Sequence, residues 1–114
     1  MVYEKMNKLD KNLNIIELSD DINNGFIKPY NNSITVYTKS NCYRCDELKS
    51  NISKINNIFS KYYYINCDNY LNDDKDGFKE FMALHMCKRY NKDFKLLFPV
   101  VFVDGVYCPK FFLM

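Results

Sequence analysis

Two short segments rich in β-branched and aromatic residues flank an amphipathic pattern in the middle of the chain. Residues 34–38 (ITVYT) are typical of a buried strand, and residues 62–67 predict a second strand. Between them, apolar residues recur in steps of three and four, which predicts a helix over residues 42–59. Because a helix joins them, the two strands are expected to lie parallel in one sheet. The apolar positions of the helix are Cys45, Leu48, Ile52, Ile55 and Phe59.

The C-terminal part predicts a second helix and a hairpin. Residues 72–76 form a polar loop in this interpretation, and residues 77–90 form a helix. Residues 96–103 predict a third strand, and Asp104-Gly105 is a two-residue hairpin turn. Residues 106–108 then supply a short antiparallel fourth strand. The helical residues expected to face the sheet are Phe78, Phe81, Met82, His85 and Met86.

The pattern is weakest over residues 1–32. Apolar residues between positions 13 and 22 fit a short helix or a strand about equally well. We therefore expect an N-terminal extension over residues 1–32 and a domain over residues 33–114. The predicted fold class is α/β, with a mixed four-stranded sheet flanked by helices.

Composition narrows the functional classes. The 114 residues are 47% hydrophobic, enough for one core, and 16 basic against 14 acidic side chains leave a net charge of +2. No basic run exceeds two residues, so a nucleic-acid partner is not expected. No apolar run approaches the roughly 18 residues of a membrane span, so no membrane partner is expected either. The polar N-terminus lacks a signal-peptide pattern, which predicts a cytoplasmic location.

Five cysteines in a cytoplasmic chain are not expected to form a structural disulfide framework. Their odd number means that at least one thiol is unpaired. They are therefore interpreted as redox, metal-binding or buried residues.

The most specific motif is the C-x-x-C of Cys42 and Cys45, placed between a strand and a helix. Backbone N–H groups and the helix dipole at that position stabilise a thiolate, the form that attacks a disulfide. Cys42 is therefore the predicted nucleophile. Cys45, on the apolar face, is the predicted resolving thiol. Lys39 and Arg44 add positive potential around Cys42.

A second motif, Phe98-Pro99, stands at the head of an apolar strand, where proline indicates a turn and a cis peptide bond is plausible. With this motif and the C-x-x-C, residues 34–108 resemble the glutaredoxin branch of the thioredoxin fold. In that family a cis-proline loop lies against the C-x-x-C. The matching stretches are TKSNCYRC at residues 38–45 and FPVVFVDG at residues 98–105.

The resemblance implies roles for individual residues. Lys39, three positions before the nucleophile, corresponds to a family lysine that contacts a glutathione carboxylate. The main chain of Phe98 corresponds to the segment that pairs with the cysteinyl part of glutathione. The candidate substrate-binding residues are Lys39, Tyr43, Arg44, Phe98 and Pro99. Glutathione is the expected reductant, with no tightly bound cofactor, and the partners are a protein disulfide, glutathione or both.

The chain also departs from the family pattern. Tyr43 and Arg44 replace the usual proline and tyrosine between the cysteines, and Pro109-Lys110 stands where the family has a Gly-Gly turn. The sequence holds no counterpart of the last helix. A protein disulfide is therefore an alternative substrate to glutathione.

Two other functional classes remain open from the sequence. One is a thioredoxin-fold binding or assembly protein without efficient turnover. The other is a metal or iron–sulfur carrier, for which Cys67, His85, Cys87 and Cys108 are the further candidate ligands, although their spacing matches no familiar zinc pattern. For each of these four residues separately, packing inside the fold is the favoured interpretation.

Overall fold

A single mixed sheet organises the chain. The structure, a computed structural model, describes residues 14–52 and 61–110. In these ranges the sheet order is β1-β3-β2-β4-β5. Strands β1, β3 and β2 are parallel, whereas β4 and β5 run antiparallel to their neighbours. The α/β class is therefore confirmed. The strands are β1 (Asn14–Leu18), β2 (Ile34–Thr38), β3 (Lys61–Asn66), β4 (Val100–Val103) and β5 (Val106–Tyr107).

The predicted count of four strands is wrong, because the described chain contributes five. The additional strand, β1, comes from the segment expected to be an N-terminal extension, and it pairs with β3 along its whole length. β1 is an edge strand whose residues are exposed or only half-buried. Its place in the sheet depends on backbone hydrogen bonds to one neighbour, which leave little trace in the hydrophobic pattern.

Three helices lie in the described residues: α1 (Tyr43–Asn51), α2 (Asp68–Asp73) and α3 (Lys75–His85). The predicted buried face of α1 is confirmed at Cys45, Leu48 and Ile52, which are all buried. The helix was also predicted to continue to position 59, with Ile55 and Phe59 on its apolar face. This part of the prediction lies outside the described residues. None of the three helices is long and apolar enough to span a membrane.

The region around Asp74 differs from the sequence-based prediction. The expected loop over residues 72–76 is instead the junction of two helices, and a helix at positions 68–73 was not predicted. Asp74 separates them with non-helical backbone (φ −154°, ψ 70°), and its carboxylate accepts from the N–H of Gly77 at 3.1 Å, which caps α3. α2 is capped from a distance by the carboxylate of Asp20, which accepts from the N–H of Asn69 at 2.6 Å. A cap supplied from 49 positions away cannot be recognised in the local sequence.

α3 ends at His85 rather than at the predicted Tyr90. Cys87 has a φ of 56°, and the N–H of Lys88 donates to the carbonyl of Ala83 at 2.8 Å. This is the Schellman arrangement that closes a helix with a left-handed residue. Cys87, expected inside the helix, therefore lies in the turn that ends it.

The helices cover both faces of the sheet. Ile34 and Val36 of β2 pack with Leu48 of α1 in one buried cluster. Tyr37, which points to the opposite face, packs with side chains of α2 and α3 in the other cluster. Of the residues expected to face the sheet, Phe78 and Met82 of α3 and Met86, directly after its end, are buried, while Phe81 and His85 are half-buried.

Two buried tyrosines fix the loop that leads from β1 towards β2. The hydroxyl of Tyr37 donates to the carbonyl of Ile27. The hydroxyl of Tyr70 donates to the carbonyl of Gly25 and accepts from the N–H of Ile27, both at 3.2 Å. The side chain of Phe26 then packs edge-on against Tyr70, with ring centroids 5.0 Å apart. These contacts attach the β1 region to the rest of the fold.

The predicted hairpin turn is confirmed, but the strand expected over residues 96–103 forms only over Val100–Val103, and the one expected over residues 106–108 only over Val106–Tyr107. Asp104 and Gly105 both have positive φ, 52° and 78°, as a two-residue type I′ turn requires. A Cβ at Gly105 would lie 2.7 Å from the Oδ1 atom of Asn31, so space as well as backbone conformation favours glycine there.

Candidate active site

Cys42 and Cys45 are joined by a disulfide across the first turn of α1, with their Cα atoms 5.2 Å apart. Cys42 is the N-cap residue, and its backbone is extended, with φ −119° and ψ 102°. Its Sγ atom accepts from the N–H of Cys45 at 3.2 Å. That sulfur therefore sits at the positive end of the helix dipole, where N–H groups of the first turn lack helical partners.

The two cysteines are both buried, whereas the two residues between them are exposed. Cys42 is 8% exposed and Cys45 is 4% exposed. Tyr43, between them, is 78% exposed, and Arg44 is also exposed. An incoming molecule would therefore meet the side chain of Tyr43 beside the rim of the disulfide.

Ser40 anchors the loop that precedes Cys42. The N–H of Ser40 donates to Asp68 Oδ1 at 3.0 Å, and its hydroxyl donates to Asp68 Oδ2. These hydrogen bonds hold the pKa of Asp68 below its usual value. The side-chain amide of Asn66 also donates to the Ser40 hydroxyl, at 3.3 Å. Asn41 follows with a φ of 55° and turns the chain into the helix.

Sequence reasoning missed Asp68 and Asn66 as positioning residues. Both stand at the C-terminal end of β3, which is parallel to and adjacent to β2. Because parallel strands bring their C-terminal ends to the same edge, polar residues just after β3 were candidates to meet the loop after β2. The predicted parallel crossover from β2 to β3 could therefore have identified these two residues.

Lys39 and Phe98, two of the candidate substrate-binding residues, lie next to each other. β2 and β4 pair antiparallel with Tyr37 opposite Val100, so the residues after Tyr37 run alongside those before Val100. The ammonium of Lys39 accordingly lies 5.8 Å from the centroid of the Phe98 ring. The Phe98–Pro99 peptide bond is cis, and both residues are half-buried.

Two cavities flank the loop that carries Lys39. One, of about 540 Å³, is bordered by Cys45 and by charges of both signs, including Glu17, Asp46 and Lys49. Lys49 and Glu17 form an ion pair of 2.7 Å there, which lowers the pKa of Glu17. The second, of about 440 Å³, contains Lys39, Lys75, Lys79 and Lys95 together with apolar side chains. We call it the lysine groove.

The other cysteines occupy separate positions. Cys67 is fully buried, and burial raises the pKa of its thiol. Cys87 is exposed, and Cys108 is half-buried against the cluster that contains Val101. His85 is half-buried, donates from Nδ1 to the carbonyl of Phe81 at 2.9 Å, and packs on that ring. Cys67, His85 and Cys108 therefore pack inside the fold, whereas Cys87 is exposed.

No group of three or more His, Cys, Asp or Glu side chains in residues 14–52 and 61–110 has an arrangement that could hold a metal ion. The four further candidate ligands of the sequence analysis all lie in these ranges. They are therefore not brought together with one another or with the disulfide as a metal site.

Comparison of the chain with family models, with curated proteins and with solved structures gives no match. The functional argument therefore depends on the geometry of the chain itself.

Proposed function

We propose that this chain is a thiol–disulfide oxidoreductase that uses Cys42 as nucleophile and Cys45 as resolving thiol. One observation carries the proposal. The two sulfurs are within bonding distance across the first turn of α1, and Cys42 Sγ accepts a hydrogen bond from the N–H of Cys45. After reduction, that N–H and the helix dipole favour a thiolate at Cys42.

The reaction starts from the reduced chain. The Cys42 thiolate attacks one sulfur of a substrate disulfide, forming a mixed disulfide and releasing the other substrate sulfur as a thiolate. The Cys45 thiolate then attacks Cys42 Sγ and displaces the second substrate sulfur. The substrate gains two electrons and two protons, and the chain is left with the Cys42–Cys45 disulfide. Two thiol molecules, glutathione in our proposal, restore the dithiol and leave as one disulfide.

Several contacts support a glutaredoxin-type, thioredoxin-like fold as the finer description. α1 connects the parallel strands β2 and β3. The antiparallel β4–β5 hairpin follows later in the chain, and its strand β4 pairs with the other side of β2. Lys39 lies in the loop that leads from β2 to Cys42, and its ammonium lies 5.8 Å from the centroid of the Phe98 ring. Lys39, Tyr43, Arg44, Phe98 and Pro99 are the proposed substrate-binding residues. A reducing compartment such as the cytoplasm would supply the thiol that the cycle needs.

The proposal is tested by redox titration of the purified chain against glutathione buffers, with mass-spectrometric mapping of every cysteine. We expect one reversible two-electron step confined to Cys42 and Cys45. Cys67 serves as the internal control, because it is fully buried and should remain a free thiol throughout. Failure of the Cys42–Cys45 pair to interconvert with thiols, or lack of disulfide reductase turnover, would overturn the proposal.

A further inference from the structure

The lysine groove contains four ammonium groups from three separate parts of the chain. Lys39 precedes α1, Lys75 and Lys79 lie four positions apart on α3, and Lys95 lies in the segment before β4. No carboxylate borders the groove, and none of the four ammonium groups forms an ion pair with a carboxylate of the described residues. Since the chain carries a net charge of only +2, this concentration is local rather than general.

We propose that the lysine groove binds an acidic polypeptide segment of a protein substrate and so directs that substrate's disulfide to Cys42. The inference rests on the proposed oxidoreductase function and names its substrate class. Lys39 borders the groove and stands three positions before Cys42, so a segment lying in the groove reaches the loop that carries the nucleophile. The redox step is unchanged: the bound disulfide receives two electrons and two protons from the Cys42–Cys45 dithiol.

The balance of charges favours an anionic occupant. The other cavity beside the same loop contains Glu17 and Asp46 as well as lysines, so its charges offset one another. The lysine groove is lined by four lysines and by no carboxylate, although Lys39 also attracts the nearby carboxylate of Asp68, and this excess of positive charge raises the local concentration of anions. Lys79 also borders a neighbouring depression that contains Asp76, and Lys75 lies between Asp74 and Asp76 in the sequence, but neither carboxylate lines the lysine groove.

The apolar part of the groove favours a polypeptide over a small anion. Leu97 borders the groove and is 72% exposed, and Leu96 and Phe98 lie beside it. An exposed leucine among lysines offers contact to an apolar side chain as well as to carboxylates. A segment of several residues can supply both, whereas glutathione has only two carboxylates and an ammonium group.

The experiment compares two peptides, each with one internal disulfide, that differ only at the flanking positions. One peptide carries Asp and Glu there, and the other carries Asn and Gln. We expect kcat/KM for reduction by the intact chain to be about tenfold higher for the acidic peptide at low salt. The preference should shrink as ionic strength rises to about 0.3 M, because exposed charges are then screened.

Reversing the charge of two groove lysines tests whether the preference for the acidic peptide depends on the lysine groove. The variant Lys75→Glu/Lys79→Glu should lose the preference for the acidic peptide. The control Lys28→Glu/Lys61→Glu makes the same change in net charge at exposed lysines outside the groove and should keep it. Lys61 begins β3, at the opposite end of the parallel strands from Cys42.

Three results would overturn the inference: equal kcat/KM for the two peptides, a preference that survives in the groove variant, or an equal loss in the control. A fourth is a groove variant that impairs reduction by glutathione as strongly as it impairs the acidic peptide, which would assign the groove to the small thiol. Turnover of a small neutral disulfide by the unaltered chain tests the oxidoreductase proposal separately. Such turnover without any acidic preference would reject the substrate class alone.

Discussion

Ser40 donates two hydrogen bonds to the carboxylate of Asp68, one from its backbone N–H at 3.0 Å and one from its hydroxyl. The pair connects the loop before Cys42 to the first residue of α2. The position of the proposed nucleophile therefore depends on a contact between segments that follow two neighbouring parallel strands.

We expect Asp68→Asn to lower the free energy of unfolding by about 1 kcal/mol, because an exposed charge-assisted pair is weakened rather than removed. Disulfide reduction should slow as the loop loses its fixed position. Urea denaturation and turnover measurements check both effects. Asp73→Asn makes the same chemical change at an exposed position at the other end of α2 and should affect neither.

The same pair predicts a dependence on pH. Since the pKa of Asp68 is lowered in the folded chain, its stabilising contribution is complete above the ordinary aspartate pKa of about 4. It is lost as the pH falls through the lower folded value. The difference in stability between the unaltered chain and Asp68→Asn should therefore disappear in strong acid. A constant difference down to acidic pH would contradict this assignment.

The two cysteines of the C-x-x-C should give opposite phenotypes. Cys42→Ser should reduce disulfide reductase activity by at least about 100-fold, because a hydroxyl at neutral pH does not replace the thiolate. Cys45→Ser should accumulate a mixed disulfide between Cys42 and its substrate, detectable by mass, because the resolving thiol is absent. Cys87→Ser removes an exposed thiol outside the site and should retain activity. Full activity in Cys42→Ser would show that another residue is the nucleophile.

Asp20 is the residue through which the β1 region caps α2. Asp20 is buried, with 8% of the residue exposed, and its carboxylate accepts from the N–H groups of Asn69 and Tyr70 at 2.6 and 3.4 Å. We expect Asp20→Ala to lower the free energy of unfolding by about 2 kcal/mol, because α2 then loses its cap. Asp21→Ala removes only the cap of a short 3-10 helix, Ile22–Asn24, which contains no buried residue. This variant should lower the free energy of unfolding much less, as measured by urea denaturation. Equal losses would show that the contact to α2 is not important for stability.

Cys87 occupies a backbone conformation that suits glycine. With a φ of 56° at the end of α3, its replacement by glycine should raise the free energy of unfolding by about 0.5–1 kcal/mol, net of the greater freedom of glycine in the unfolded chain. Cys87→Ala keeps the Cβ atom and should give no gain. Thermal or urea denaturation of both variants provides the measurement, and equal stability of the two would contradict the backbone explanation.

The sequence predicted the parts of the fold whose signals are local. The β-branched segment of β2, the apolar spacing of α1 and the Asp104-Gly105 turn each carry their own pattern, and all three elements are present. β1 was not recognised as a strand of the sheet, because its partner β3 lies more than forty positions away and it buries little. α2 was missed because its cap, Asp20, is equally remote in sequence.

In the candidate site, too, the features with a local sequence signal were predicted and those that depend on remote contacts were not. The pairing of Cys42 with Cys45 was predicted from the C-x-x-C motif, whereas the contact between Lys39 and Phe98 was not. The hydrogen bonds of Ser40 to Asp68 and the gathering of four lysines in one groove depend on how α2, α3 and the segment before β4 pack together. Such relations arise from tertiary packing, and no spacing rule within one segment reports them.

β5 is short, and it forms one edge of the sheet, where a strand of another chain could pair with it. β5 offers only two residues to an incoming strand, and Pro109, which has no N–H to donate, follows after Cys108. A second chain could make very few backbone hydrogen bonds at this border before the ladder stops. Pro109 and the shortness of β5 therefore limit the addition of another strand at this edge of the sheet.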